Sequence, residues 1–167
     1  MKDRKGVVYF VLAAFFLFFA LPAAAGHPIS QKKKKGDISV TFGPVSNTEN
    51  LPGSIGIIKT IAWRPLTQWI SIGGCVGIVQ NEVPIMANLT LNIPLKWVEP
   101  FATAGLGIDF QNLSSAKNYG GGIKIRVTQR AAAIVEYRNV KINNTSRLHS
   151  KHSLNLEYIG AGITYYF

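Results

Sequence analysis

The chain is poor in the residues from which most catalytic and metal sites are built. Its 167 residues include one cysteine, Cys75, and three histidines. A lone cysteine cannot form an internal disulfide framework and supplies no Cys-based structural zinc cluster. Charge is scarce too, at 16% of residues where about a quarter is usual. Acidic groups are the scarcest: 8 Asp and Glu stand against 18 Lys and Arg, for a formal net charge of +10. With 47% hydrophobic residues, this composition excludes a disordered, solvating chain. There is no phosphate loop, and the basic residues are not interleaved with aromatics on one surface. Neither a cofactor nor a nucleic-acid partner is expected.

Only one long apolar run is present, Val7 to Leu21, preceded by Lys2, Arg4 and Lys5 and followed by Ala23-Ala24-Ala25. This is the n-region, h-region and small-residue cleavage pattern of a secretory signal peptide. At ~1.5 Å per residue the run spans roughly 22 Å as a helix, short of a ~30 Å hydrocarbon core, which argues against a retained anchor. Cleavage after Ala25 leaves 15 Lys and Arg against 7 Asp and Glu, a net charge of +8. Residues 1–25 thus read as leader, 26–36 as a basic tether containing Lys32 to Lys35, and 37–167 as one domain.

That domain is written in a period of two. Ile85, Ala87, Leu89, Leu91 and Ile93 alternate with Met86, Asn88, Thr90 and Asn92, the pattern of a strand with one apolar face. The same alternation places strands at 37–45, 54–63, 68–79, 85–94, 98–111, 118–128, 131–142 and 153–167. Tight connections (64–67, 94–97, 129–130) fall at one end, and longer polar ones (46–53, 111–117, 143–152) at the other, joined by the short 80–84. An even number of strands with that asymmetry predicts an all-β, eight-stranded antiparallel up-and-down barrel of the outer-membrane kind.

A soluble eight-stranded barrel also alternates, with its apolar residues inside. The second face here carries Gly, Ser, Thr, Asn and the charges Asp109, Lys124, Arg126, Glu136 and Arg138, and both placements are physically open. The export signal, the paucity of charge on the apolar face and the aromatics near strand ends (Trp63, Trp69, Trp97, Phe101, Tyr165, Tyr166, Phe167) favour lipid outside. In the last strand Ile159, Ala161, Ile163, Tyr165 and Phe167 share one parity, whereas Leu154, Leu156 and Tyr158 have the other. A bulge near Tyr158 and Ile159 would reconcile them.

Val83-Pro84-Ile85 through Ala104-Gly105-Leu106-Gly107, Tyr119-Gly120-Gly121-Gly122-Ile123-Lys124 with Val135-Glu136-Tyr137-Arg138, and the terminal Tyr165-Tyr166-Phe167 together resemble the OmpA-like small outer-membrane β-barrel domain family. The resemblance implies a bacterial surface barrel serving envelope integrity, adhesion or lipid contact. It further implies that Ile163, Tyr165 and Phe167 form the signal read by the barrel-assembly machinery. Unlike the larger OmpA proteins, the sequence has no peptidoglycan-binding domain after the barrel, so tethering to the cell wall is not expected.

Within the lumen, Lys124 and Arg126 on the sixth strand face the same way as Glu136 and Arg138 on the seventh, which suggests a bridge from Glu136 to Lys124 or Arg126, joined by Asp109. Buried charges persist only when paired, so a lumen-filling salt-bridge network is expected in preference to an ion path. Eight strands also leave little bore. Lys32 to Lys35 could meet anionic head groups at the inner leaflet or serve as a solvated tether. At the opposite end Lys117, Arg147, His149, Lys151 and His152 could meet phosphates of lipopolysaccharide, or line plain hydrophilic loops. A monomer is expected.

The competing reading is an enzyme that deacylates lipid A, with His149 or His152, Ser150 or Ser153, and Glu157 as base, nucleophile and orienter. A deacylase-like pattern would place a His, one intervening residue, a Ser and then an Asn just after Tyr137-Arg138, where this sequence has Asn139-Val140-Lys141-Ile142. The non-catalytic reading is therefore preferred. Two histidines without further ligands make no metal site. Cys75, between Gly73 and Gly77, reads as a small inward filler.

Overall fold

The computed structural model describes residues 34–47, 54–65, 67–79, 82–111, 113–144 and 152–167. The expected leader, together with Lys32, Lys33, Arg147, His149, Ser150 and Lys151, lies outside them. The elements are β1 (Gly36–Asn47), β2 (Ser54–Trp63), β3 (Ile70–Ile78), β4 (Pro84–Asn92), β5 (Val98–Asp109), β6 (Ser114–Arg126), β7 (Ala131–Asn144) and β8 (His152–Tyr166). Each strand pairs antiparallel with the next, and β8 returns to β1, closing the barrel. Asp37 opposite Tyr166 and Val40 opposite Ile163 set the seam, which Phe167 finishes by exchanging main-chain hydrogen bonds with Gly36 at 3.1 and 3.2 Å. Closure leaves no strand edge to template aggregation.

Alternation in the sequence becomes alternation in burial. Along β4 every even residue from Pro84 to Asn92 is buried and every odd one exposed. The apolar set is the exposed one: Ile72 and Leu91 are each 56% exposed, Leu106 65% and Ile163 69%. Such a surface is the inverse of a soluble barrel, whose apolar residues fill the core, and it far exceeds the isolated apolar patches of soluble monomers.

Three expectations are corrected here. The strand β8 needs no bulge: its register with β7 runs unbroken from Ala131↔Tyr165 to Asn144↔His152. Leu156 and Tyr158 simply point inward, because the half of the lumen away from the termini is filled with apolar groups. There Val45, Ile58, Val79, Met86, Val140, Ile142, Leu156 and Tyr158 form a buried cluster with Cys75 and Ala116. The second correction is that β6 starts at Ser114, opposite Asp109, after a tight turn in which Leu113 takes a left-handed φ of 49°. Lys117 therefore lies within a strand and not on a loop, since the polar Ser-Ser-Ala-Lys-Asn is recruited to satisfy the outer main-chain groups of β5. The third is that Phe101 and Tyr166 do not belong to an exterior aromatic belt. They are 9% and 2% exposed and face the lumen, where each ring lies beside charged side chains.

Candidate functional site

The end of the barrel where β1 begins and β8 ends holds a buried charge cluster. Asp37 opens β1 on the inward parity shared by Ser39 and Thr41, and Glu99 lies two steps before Phe101 and four before Thr103 on β5, all inward. Arg64, just past the end of β2, turns into the lumen, donates to Asp37 Oδ2 at 3.0 Å and contacts Glu99. Lys124 reaches across to Asp37 Oδ1 at 2.9 Å and lies 3.8 Å from Glu99. Arg126 donates to Glu99 Oε2 at 3.2 Å. Glu99 is fully buried, Asp37 is 1% exposed and Arg64 3%.

Lys34 caps this cluster. Its main chain is held by Gln68, whose side-chain oxygen accepts from Lys34 N at 3.2 Å and whose amide donates to Lys34 O at 2.9 Å. Its ammonium nitrogen is 3.1 Å from the centroid of the Tyr166 ring, a cation–π contact strengthened by desolvation. Lys34 is thus buried in the barrel mouth and does not belong to a solvated tether or a surface facing head groups. Four basic side chains (Lys34, Arg64, Lys124, Arg126) share two carboxylates. Burial, together with the Arg126 charge, accordingly lowers Lys34 from 10.5 to about 8.

This makes stability pH-dependent in a definite direction. Between about pH 8 and 10.5 the folded chain has released the Lys34 proton and the unfolded chain still holds it. The unfolded state therefore binds more protons, and stability rises with pH across that window. Urea unfolding of Lys34→Met beside the wild type is expected to show the wild type gaining on the variant as pH is raised from about 7.5 to 10.5. A constant gap would contradict the assignment.

One storey further in, Arg138 Nε donates to Glu136 Oε2 at 2.9 Å and its Nη2 to Thr60 at 3.0 Å. The other oxygen of Glu136 accepts from Thr41 at 2.6 Å. Hydroxyl and amide pairs continue around the wall: Ser39 with Thr164 at 2.9 Å, Thr90 with Thr103 at 3.0 Å, and Asn92 with Ser71 at 2.9 Å. A void of about 20 Å³ lined by Asp37, Lys124, Glu136 and Arg138 among others has room for about one water.

The expected lumen residues therefore separate into different groups. Lys124 and Arg126 join carboxylates, but those of Asp37 and Glu99. Glu136 makes no bridge to either and pairs with Arg138 on its own strand. The register explains this, because Gly122 stands opposite Glu136 and Lys124 opposite Ile134, so the carboxylate sits a storey above the ammonium. Asp109, also buried, accepts the Val83 N–H at 2.9 Å at the loop end. At ~3.3 Å per residue it is roughly 30 Å along β5 from Glu99, far from the cluster it was expected to join. Asp37, Glu99 and Arg64 were missed. The two carboxylates stand on the inward parity of the strands expected at 37–45 and 98–111, but Arg64 lies beyond its strand, where parity says nothing.

On the exterior, Ile163, Tyr165 and Phe167 of the expected assembly signal are all exposed on one face. Lys117 and Lys141 face outward opposite one another. Of the loop candidates, His152 contributes backbone to β8, Ser153 is exposed and Glu157 half-buried. The remaining His and Ser candidates lie outside the described residues. Among the described residues no three His, Cys, Asp or Glu side chains group as metal ligands.

No sequence-family model matches the chain, and no curated protein matches it by sequence. Solved structures do. The N-terminal β-barrel domain of Pseudomonas aeruginosa OprF aligns with a TM-score of 0.58 at 12% identity, over 81% of this chain and 100% of that one. Neisserial surface protein A (NspA) aligns with a TM-score of 0.58 at 12% identity, over 79% and 96%. The chain has the fold of the small outer-membrane barrels. A barrel from de novo design of transmembrane β-barrels is also similar, with a TM-score of 0.55 at 16% identity over 83% and 100%. A fold shared with a designed sequence does not by itself carry a function.

Proposed function

We propose that the chain is an exported protein of a bacterial outer membrane, acting as a non-catalytic barrel with a structural, envelope-integrity or surface-interaction role. The observation that carries this is the inverted wall: exposed Ile, Leu and Val around a closed barrel whose interior holds ion pairs and hydroxyls at one end and an apolar cluster at the other. Lipid is the solvent that such an exterior requires. With an even number of strands both termini lie on the periplasmic side, and the leader 1–25 delivers the chain there. Ile163, Tyr165 and Phe167 then serve the barrel-assembly machinery, and Arg147, His149, Lys151 and His152 at the opposite end meet lipopolysaccharide phosphates. A lumen occupied by ion pairs at one end and by the apolar cluster at the other supports a plug and not a solute path.

The test is cell fractionation joined to mass spectrometry of lipid A from cells with and without the protein. Recovery in the outer membrane with unchanged lipid A is the expected result. Recovery as a soluble periplasmic protein would sink the membrane reading. Loss of an acyl chain that disappears with His149→Ala or His152→Ala would replace the non-catalytic reading with a hydrolase.

A further inference from the structure

The outward face of β3 to β7 has a dip in its apolar belt with two lysines at its margin. Two neighbouring rows of paired residues cross these strands. The row nearer the loops reads Gly74, Ala87, Leu106, Lys117 and Lys141, and the next reads Ile72, Leu89, Ala104, Tyr119 and Asn139. Where Ala87 and Ala104 stand among larger neighbours the wall sinks, leaving a shallow groove of about 620 Å³ bordered by Leu89, Leu106 and Tyr119 and reaching Lys117.

The lysines add a charge requirement to this groove. Like charges directly opposite on adjacent strands destabilise each other, and among the described residues neither Lys117 nor Lys141 has a carboxylate at ion-pair distance. Tyr119 and Tyr137 face outward where aromatics mark the boundary of an apolar belt. Lys117 lies two residues beyond Tyr119, and Lys141 four beyond Tyr137, toward the loop end, which the outer-membrane reading makes the head-group side of the belt. An apolar trough leading up to a pair of unneutralised ammonium groups at that depth is complementary to a lipid whose acyl chain descends from a phosphate.

We infer that this face binds one lipid A molecule, with an acyl chain in the groove over Ala87 and Ala104 and a phosphate between Lys117 and Lys141. The inference rests on the outer-membrane reading, which places lipopolysaccharide in the leaflet at the loop end. It adds a lipid site on the barrel wall to the contacts proposed for the loop.

The experiment titrates the full-length mature barrel, folded in detergent, with lipid A and with lipid A stripped of its phosphates, and reads binding by native mass spectrometry. Heat-modifiable migration on gels verifies that each variant is a folded barrel. Lys117→Gln and Lys141→Gln are each expected to weaken lipid A binding about fivefold, and roughly 25-fold together, the equivalent of about 1 kcal/mol per lysine. Ala104→Leu, which fills the dip and keeps both lysines, is expected to weaken both lipids. Equal binding by the double variant and the wild type, or equal affinity for the two lipids, overturns the phosphate site. Unchanged binding by Ala104→Leu overturns the groove. Either result from a protein that fractionates with the outer membrane removes this inference alone, whereas a soluble periplasmic location removes the reading beneath it.

Discussion

Replacing Glu99 with Gln is expected to cost about 3–5 kcal/mol of folding free energy, the range for removing one partner of a buried ionic cluster. The substitution keeps the shape of the side chain and deletes only its charge. Three cations face it: Arg64 in contact, Arg126 at 3.2 Å and Lys124 at 3.8 Å. With Glu99 gone, Asp37 alone would have to balance four basic groups in a barrel end where none of these side chains is more than 8% exposed. The loss is read as a lowered urea midpoint for unfolding from lipid vesicles. Adding Arg126→Gln to the variant should recover part of it, because the second change removes a cation that has become unpaired. Non-additivity in that double-mutant cycle measures the coupling directly. An unchanged midpoint would show that water screens the cluster. Glu136→Gln provides the internal contrast, since that carboxylate neutralises Arg138 alone.

Strand order and facing were legible in the sequence because they depend on a local period. Ile85 to Asn92 alternates whatever else the chain does, and the structure exposes and buries those residues in turn. Partners were not legible, because parity gives the side of the wall and not the height on it. Lys124 and Glu136 share a lumen, yet the strand stagger sets them a storey apart and swings Lys124 across to Asp37, 87 residues away. Tyr158 misleads for a related reason. An inward aromatic looks like a break in the alternation if the lumen is assumed polar throughout, whereas its loop-end half is an apolar core. Lys34 reads from sequence as part of a tether, and Arg64 escaped notice, because each lies just outside a strand, where no periodicity indicates that a long side chain folds back to close the barrel mouth.

The question the sequence left open, which solvent the apolar face meets, is decided by Val135→Arg. Val135 is 47% exposed on the outer face of β7, four residues after its first residue, Ala131. At ~3.4 Å per residue and a ~40° tilt it stands roughly 10 Å above the terminal rim, near the middle of an apolar band ~25 Å tall. In water, an arginine at so exposed a position would change stability by no more than about 0.5 kcal/mol. In a bilayer it is expected to cost about 2–4 kcal/mol at that depth, read again from urea unfolding out of vesicles. The native chain supplies the reverse experiment in Lys59, exposed on the outer face of β2 between Val40 and Val76 and four residues from Trp63. Its long stem lets the ammonium climb toward an interface, so Lys59→Leu is expected to stabilise the barrel by up to about 2 kcal/mol, less than the arginine costs. A soluble barrel would show the opposite pattern, tolerating Val135→Arg and losing solubility with Lys59→Leu. Matching shifts of opposite sign at two positions of similar depth can come only from a hydrocarbon solvent around the wall, since a local packing defect at either site would not invert with the charge.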